Sequence, residues 1–521
     1  MTARILVSAL LGLTLSIGTA TAAPKVFRYA LSSDLNNLDP HTSATTSTGQ
    51  LGLMVYDTLF ALDATLQPKP QMVETYTVSS DKLTYAFTLR PNLRFHDGQA
   101  VTGADVVASM KRWMERDTMG AQLKARLADF RLEGERGFVI ALKEPFAFVE
   151  LALASTGANQ PVIMRRADAE TDPFKPLTHA VGSGPFKFVE WKPGLGATFD
   201  RNPDYTPRAE PPDGLAGGKV VKVDRVEMKF IPDANTRASA LINNEIDLFE
   251  QVPGDVLPIL EGSSDVVLKR SGPSLQTYIR PNHLVPPFNN VKARQALALL
   301  VNQSDYMLAG YGTKDWWQAD CFSFFLCGTP TETDAGSEAY RGQNLAKAKQ
   351  LLAESGYKGE KIVILATREL PGQGALADVT TANLRAIGAN VDLQILDFGG
   401  MLSRRTRKEP VGQGGWNLFH IAVTSVVMYS PLMNFVIDSR CDGKNYVGWP
   451  CSDQIEALRR EYGSLADESA RKLKLEELSR ALWAELPYIP TGQYWNPTAW
   501  RKEVTGLVDA SHLVFWNVDK K

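Results

Sequence analysis

Hydrophobic and polar residues alternate most regularly early in the chain, where Leu83, Tyr85, Phe87 and Leu89 interleave with Thr84, Ala86, Thr88 and Arg90. That period of two predicts a half-buried strand. It follows Tyr76-Thr77-Val78 across the polar turn Ser79-Ser80-Asp81-Lys82, so a hairpin is expected. Phe95-His96-Asp97-Gly98 marks a second turn. Thr102, with Asp105 three positions on, then opens a helix in the manner of a capping box. Val106, Met110, Trp113 and Met114 share one face of that helix. The first third therefore reads as β-rich with a helix packed on it.

The period changes further along. Asn290 is placed to cap a helix whose Ala293, Leu297, Leu300 and Val301 face inward, and Asn344 to cap a second helix that ends at Gly356. Ile362-Val363-Ile364-Leu365 then reads as a strand, 375–387 as a helix stopped by Gly388, and Val391, Leu393 and Ile395 as a further strand. This succession predicts a partly parallel sheet covered by helices. Residues 469–486 form a charged amphipathic helix stopped by Pro487.

Composition narrows the class. The 521 residues exceed what one ordinary core organises, so two or more lobes are expected. A formal net charge of −2 gives no basic footprint for nucleic acid. At the N-terminus, Arg4, the apolar run 5–17 and Ala20-Thr21-Ala22 have the layout of a secretory signal peptide, 1–22, too short in its apolar part to span a bilayer readily. No cysteine lies near the cleavage site, so export to the periplasm without a lipid anchor is expected. The four cysteines, Cys321, Cys327, Cys441 and Cys451, allow three pairings. The two local pairs, Cys321–Cys327 and Cys441–Cys451, are expected, because each brackets a short segment of an exported chain. A zinc site would need closer C-x-x-C knuckles than these.

The stretch Asp81–Arg90, Phe95-His96-Asp97-Gly98 and Thr102-Gly103-Ala104-Asp105-Val106 resembles the signature of the extracytoplasmic solute-binding proteins of family 5, the peptide- and nickel-type receptors of ABC importers. Leu38-Asp39-Pro40-His41, Gly182–Phe188, Pro287–Leu297 and Ala346–Tyr357 match further blocks in the family's order. The resemblance implies an α/β fold, a two-lobed periplasmic-binding-protein clamp of the type II, cluster C-like kind, with an extra subdomain on lobe one. Mapped onto this chain, lobe one combines 23–58, 200–272 and 498–521, the extra subdomain is 59–199, and lobe two is 273–497. Hinge crossings near Tyr278 and Tyr494 would let the lobes shut on a ligand.

The same resemblance supplies site candidates. Main-chain groups of lobe one that hold extended ligands fall at Asp34, Leu35 and Asn36 and at Phe249, Glu250 and Gln251. Tyr278, Arg280 and Asn282 follow the hinge, where alternation would point Tyr278 and Arg280 into the cleft and offer Arg280 to a carboxylate. The cluster Arg404, Arg405, Arg407 and Lys408 would suit an anionic ligand. Trp416 and Val423 belong to the segment in which peptide-binding relatives carry an Asp for the ligand's α-ammonium. Val426 stands at that position here. A valine cannot neutralise a buried ammonium, so free-amine peptides should bind poorly unless Glu250 supplies the charge from the other lobe. His420 is expected to be a satisfied structural histidine, and the aromatics Trp316, Trp317, Phe322, Phe324 and Phe325 to form a pocket wall or a satellite core.

An exported hydrolase is the rival class. The sequence has no G-x-S-x-G, zinc-protease motif or P-loop. The expectation is therefore a monomeric, non-enzymatic substrate-binding subunit. It would need no cofactor or metal and would deliver a peptide-like or other small solute to permease subunits of the inner membrane. Nickel chelate, haem, opine and oligosaccharide remain alternative ligands.

Overall fold

The computed structural model describes residues 23–31, 33–157, 159–270, 274–312, 314–318, 320–495 and 497–521. The expected signal peptide, 1–22, lies outside the described residues.

Two large sheets organise the chain. The first has seven strands in the order Val266–Arg270, Pro497–Arg501, Leu248–Phe249, Val26–Leu31, Arg225–Phe230, Gly196–Arg201 and Phe186–Lys192. Val26–Leu31 runs parallel to both its neighbours, and the C-terminal strand is antiparallel to both of its own. The second sheet has six strands, ordered Trp317–Gln318, Ile489–Tyr494, Leu275–Pro281, Leu418–Thr424, Ile362–Ala366 and Val391–Ile395. Its Ile362–Ala366 and Val391–Ile395 pair in parallel around the helix Gln373–Ala386, as the α-β-α-β pattern predicts. The chain passes between the two sheets at Arg270 to Leu275 and at Tyr494 to Pro497. These crossings connect the two lobes.

A third, four-stranded sheet contains the expected hairpin. Val73–Val78 pairs with Thr84–Leu89, placing Tyr76 opposite Phe87, and Gly137–Leu142 and Leu127–Glu133 complete it. Tyr85, Phe87 and Leu89 are buried, as the alternation requires. The helix Gly103–Met114 packs on this sheet, its start fixed where the Thr102 backbone N–H donates to the Asp105 carboxylate at 2.8 Å. The boundary expected at residue 199 falls inside Gly196–Arg201. That strand and Phe186–Lys192 extend the seven-stranded sheet rather than the four-stranded one.

Local signals hold elsewhere. Asn290 accepts from the Lys292 backbone N–H and Asn344 from that of Lys347, each opening its helix. The helix Glu468–Glu485 ends where Leu486 turns left-handed (φ 49°) ahead of Pro487. Disulfides join Cys321 to Cys327 and Cys441 to Cys451, the two local pairings. The first is buried and the second lies at the surface. Among the described residues no helix is long and apolar enough to cross a membrane.

Candidate functional site

A cleft of about 270 Å³ lies between the two large sheets. Its first wall comes from the segment after Val26–Leu31 and from the end of Leu248–Phe249, where parallel strands terminate. Strand ends leave main-chain groups unpaired, which makes them natural places for a ligand. Hydroxyl groups of the 42–47 segment line this wall, together with Asn36, Gln50, Glu250 and Gln251.

Glu250 is the anionic centre of that wall. The Tyr29 hydroxyl donates to Gln50 Oε1 at 2.8 Å, which turns the Gln50 amide nitrogen toward Glu250. Gln50 Nε2 then donates to both carboxylate oxygens, at 3.1 and 3.0 Å. Burial raises the Glu250 carboxyl above its ordinary 4.5, against the lowering effects of Gln50, Arg237 and Gln251. Asn36 is organised by hydroxyls: Ser43, Thr45 and Thr48 donate to its Oδ1 at 2.8, 3.2 and 3.0 Å.

Arg405 is the cationic centre of the second wall. It follows the helix Phe398–Arg404 and shares the cleft with Phe398, Val423, Phe435, Tyr446 and Tyr494. Its Nη1 donates to the Tyr446 hydroxyl at 2.9 Å, and its guanidinium lies 5.4 Å from the Phe419 ring centroid and 5.5 Å from that of Tyr446. Tyr446 in turn packs edge-on to Phe435 at 4.8 Å. A neighbouring cavity of about 380 Å³, lined in part by Leu308 and Trp316, shares Leu370, Pro371 and Tyr494 with the cleft.

The structure sorts the sequence candidates into two layers. Asn36, Glu250, Gln251 and Val423 line the cleft. Asp34 does not: its carboxylate accepts from Trp191 Nε1 and the Gly194 backbone N–H at 3.2 and 2.7 Å, fixing a turn. The side chains of Leu35 and Phe249 are buried in the core of lobe one, so only their main-chain groups, the ones expected to hold a ligand, are left to face the cleft.

On lobe two the expected orientation of Tyr278 and Arg280 is corrected. The strand Leu275–Pro281 is central in its sheet and covered on both faces, so alternation there does not distinguish cleft from core. Arg280 is fully buried. Its guanidinium donates to the carbonyls of Val447 (2.7 Å), Val436 (2.7 Å), Pro487 (3.0 Å) and Tyr446 (3.2 Å), leaving no face for a ligand carboxylate. Tyr278 is buried beside Tyr446. Asn282 donates to the Trp416 carbonyl at 3.0 Å, and Trp416, also buried, donates through Nε1 to the Arg405 carbonyl at 3.0 Å. Arg404 is turned away from the cleft, with Nη2 3.4 Å from the Gly415 carbonyl. Val426, on the short helix Ser425–Met428, is packed in the core. Five of these residues, Tyr278, Arg280, Asn282, Trp416 and Val426, form the bed beneath the second wall.

His420 is buried, stacks on Tyr306 and has no partner among the described residues on either ring nitrogen; burial alone pushes its pKa down to about 3. It is structural but unsatisfied. Phe324 and Phe325 belong to the lobe-two core, whereas Trp316 faces the neighbouring cavity. Sequence reasoning missed Gln50, Phe435 and Tyr446. For Tyr446 there was a signal: it sits inside the segment bracketed by Cys441 and Cys451. Among the described residues no group of His, Cys, Asp and Glu side chains is placed to hold a metal ion.

The chain is 40% identical over 509 residues to a probable peptide ABC transporter periplasmic-binding protein, y4tO, of Sinorhizobium fredii, covering 96% of this chain and 94% of that one. Among solved structures it resembles a dipeptide binding protein from Pseudoalteromonas sp. SM9913 in complex with Met-Leu, with TM-score 0.80 and 19% identity over 95% of this chain and 100% of the other. It resembles equally the binding protein AgaA from A. tumefaciens R10 in complex with agropinic acid, with TM-score 0.79 and 22% identity over 95% and 99% of the two chains. At these identities the structural likeness establishes the two-lobed fold. The family model described as "Bacterial extracellular solute-binding proteins, family 5 Middle" matches residues 67–431. With most of its length inside that match, the chain belongs to the family 5 bacterial extracellular solute-binding proteins.

Proposed function

We propose that this protein is the periplasmic binding component of an ABC importer and captures a peptide-like zwitterion between its lobes as a monomer. The observation that carries this reading is the pair of opposite charges on facing walls: Glu250 from lobe one and Arg405 from lobe two. An α-ammonium at Glu250 and a carboxylate at Arg405 would each find a charge-assisted partner in a partly desolvated cleft, where such pairs are strongest. A ligand bridging both walls favours the shut state, which permease subunits can then distinguish from the empty one. The 40% identical relative carries a peptide-transporter name, which supports the same ligand class.

Glu250 also answers the question raised by Val426. Lobe two has no carboxylate at that position, and the acid for a free amine comes from lobe one. Export through the N-terminal segment and delivery to inner-membrane permease subunits complete the reading. Mass spectrometry of small molecules released by denaturing protein purified from its native host tests it. Peptides in the released fraction are expected; an opine, a sugar or a metal chelate as the sole occupant would overturn the peptide assignment.

A further inference from the structure

The lobe-two wall rests on a loop tied at both ends. The Cys441–Cys451 disulfide closes it. Inside it, Asn445 Nδ2 donates to the carbonyls of Asp438 (3.0 Å) and Pro450 (2.7 Å). Arg280 holds the carbonyls of Tyr446 and Val447 from below. Gly448 has φ 99°, and a Cβ there would come within 2.4 Å of Arg280 Nε, so the backbone approaches the guanidinium as only glycine permits. Trp449 packs against Trp416, the same Trp416 that donates to the Arg405 carbonyl. Of all the side chains in this loop, only Tyr446 reaches the cleft.

We propose that Tyr446, braced by the Cys441–Cys451 loop, is a positioning residue that sets the cleft's selectivity for an anionic ligand end by holding Arg405. The Tyr446 hydroxyl accepts from Nη1 of Arg405, and its ring lies beside the same guanidinium. With one nitrogen committed to Tyr446 and the ring restricting its swing, the remaining N–H donors of Arg405 form a fixed fork, the geometry that recognises a carboxylate. Arg405 Nε is buried and has no partner among the described residues, so the donors open to a ligand are those on the terminal nitrogens. This inference rests on the zwitterion reading and adds what orients its anionic end. It also gives the disulfide a role in binding. The exposed Cys441 and Cys451 lie where a mild reductant reaches them, while Cys321 and Cys327 are buried.

The test is calorimetry with alanine di- to pentapeptides, each as the free acid and as the C-terminal amide. It compares the unaltered protein with Tyr446→Phe and with the double variant Cys441→Ser, Cys451→Ser. Tyr446→Phe keeps the ring and loses the acceptor, so the preference for free acid over amide should fall by about tenfold, with amide affinity little changed. The double variant should shift the same ratio in the same direction. A merely structural role would weaken both ligand forms together, leaving the ratio intact, and that result overturns the inference. If the unaltered protein binds peptides without preferring the free acid, Arg405 is not the anion site and the inference falls while peptide binding stands. If it binds no peptide, the zwitterion reading falls and this inference with it. A ligand-free readout stands beside these: Arg405 labelling by phenylglyoxal, followed by peptide mass spectrometry, should quicken in Tyr446→Phe, and an unchanged rate contradicts the brace.

Discussion

The two walls of the cleft hold opposite charges by different means. On lobe one, Glu250 is fixed by a short uncharged relay, Tyr29 to Gln50 to carboxylate, at the end of a two-residue strand. On lobe two, Arg405 sits above a deep bed in which Arg280 bonds a disulfide-closed loop, Asn282 bonds Trp416, and Trp416 bonds the Arg405 carbonyl. The anion is oriented by the Gln50 amide, with the Arg237 charge also acting on it from within lobe one. The cation has been restrained by an aromatic ring and a hydroxyl, which leaves its donors aimed. Two walls built this way can meet a zwitterion without neutralising each other's partner in the open state.

The largest expected effect breaks the cationic side. Arg405→Ala should weaken free-acid peptides by about 100-fold in calorimetry, the scale of a lost charge-assisted contact in a desolvated site. C-terminal amides should lose far less. Equal loss for both forms would point to collapse of the wall rather than to a lost anion contact.

Glu250→Gln comes next, with an expected loss of about tenfold for free-amine peptides, since Gln keeps the shape but not the charge. The unaltered protein should show the matching pH dependence. Because burial raises the Glu250 carboxyl, it takes up its proton at higher pH than an ordinary glutamate. Affinity for a free amine should therefore fall as pH drops through that raised value, while N-acetylated peptides show no such fall. The sign for stability is opposite. A raised folded-state value stabilises the empty fold below the ordinary glutamate range, and that contribution is lost as pH rises through the raised value.

The disulfides sharpen the comparison at the level of stability. Replacing either pair by Ser should cost roughly 2–3 kcal/mol by the loop-entropy scale, read as a lower melting temperature in scanning calorimetry. Only the Cys441–Cys451 replacement should also alter ligand discrimination. The smallest effect concerns His420, in the sheet behind the cation wall. Its pKa is pushed from 6.5 down to about 3, so the unfolded chain binds the proton more tightly between those values. Stability should fall as pH drops below 6.5, and His420→Leu should flatten part of that fall in urea titrations at pH 7 and pH 4.

Much of the fold was legible because its signals are local. The alternation from Leu83 to Leu89 gave a strand, and Asn290, Asn344, Gly356 and Gly388 marked helix ends by backbone chemistry that depends on no distant partner. The lobe-one sheet was less legible. Phe186–Lys192 and Gly196–Arg201 join it through pairing with Arg225–Phe230, a partner that nothing within those strands identifies.

The site divided in the same way. Glu250 and Gln251 were reachable because the family resemblance places ligand-holding main-chain groups there, just past a strand end. Arg280 was misread because a lone arginine in a hinge strand looks the same whether it meets a ligand or four carbonyls. Arg404 and Arg405 are adjacent in sequence, and helix geometry decides which one faces the cleft. Tyr446 carried only the Cys441–Cys451 bracket as a signal, since its place in the cleft is set by a disulfide, a glycine at positive φ and Arg280 acting together across the chain.

The central claim, that facing charges clamp a zwitterion, is tested most directly by one titration series on the unaltered protein. A single peptide found to bind is measured in four forms: free at both ends, N-acetylated, C-amidated, and blocked at both ends. The zwitterion clamp predicts that each single block weakens binding and that the doubly blocked form binds weakest. Lobe closure, read as a smaller radius of gyration by small-angle scattering, should be greatest with the free form. Equal affinity across all four forms, with the same closure, would contradict it.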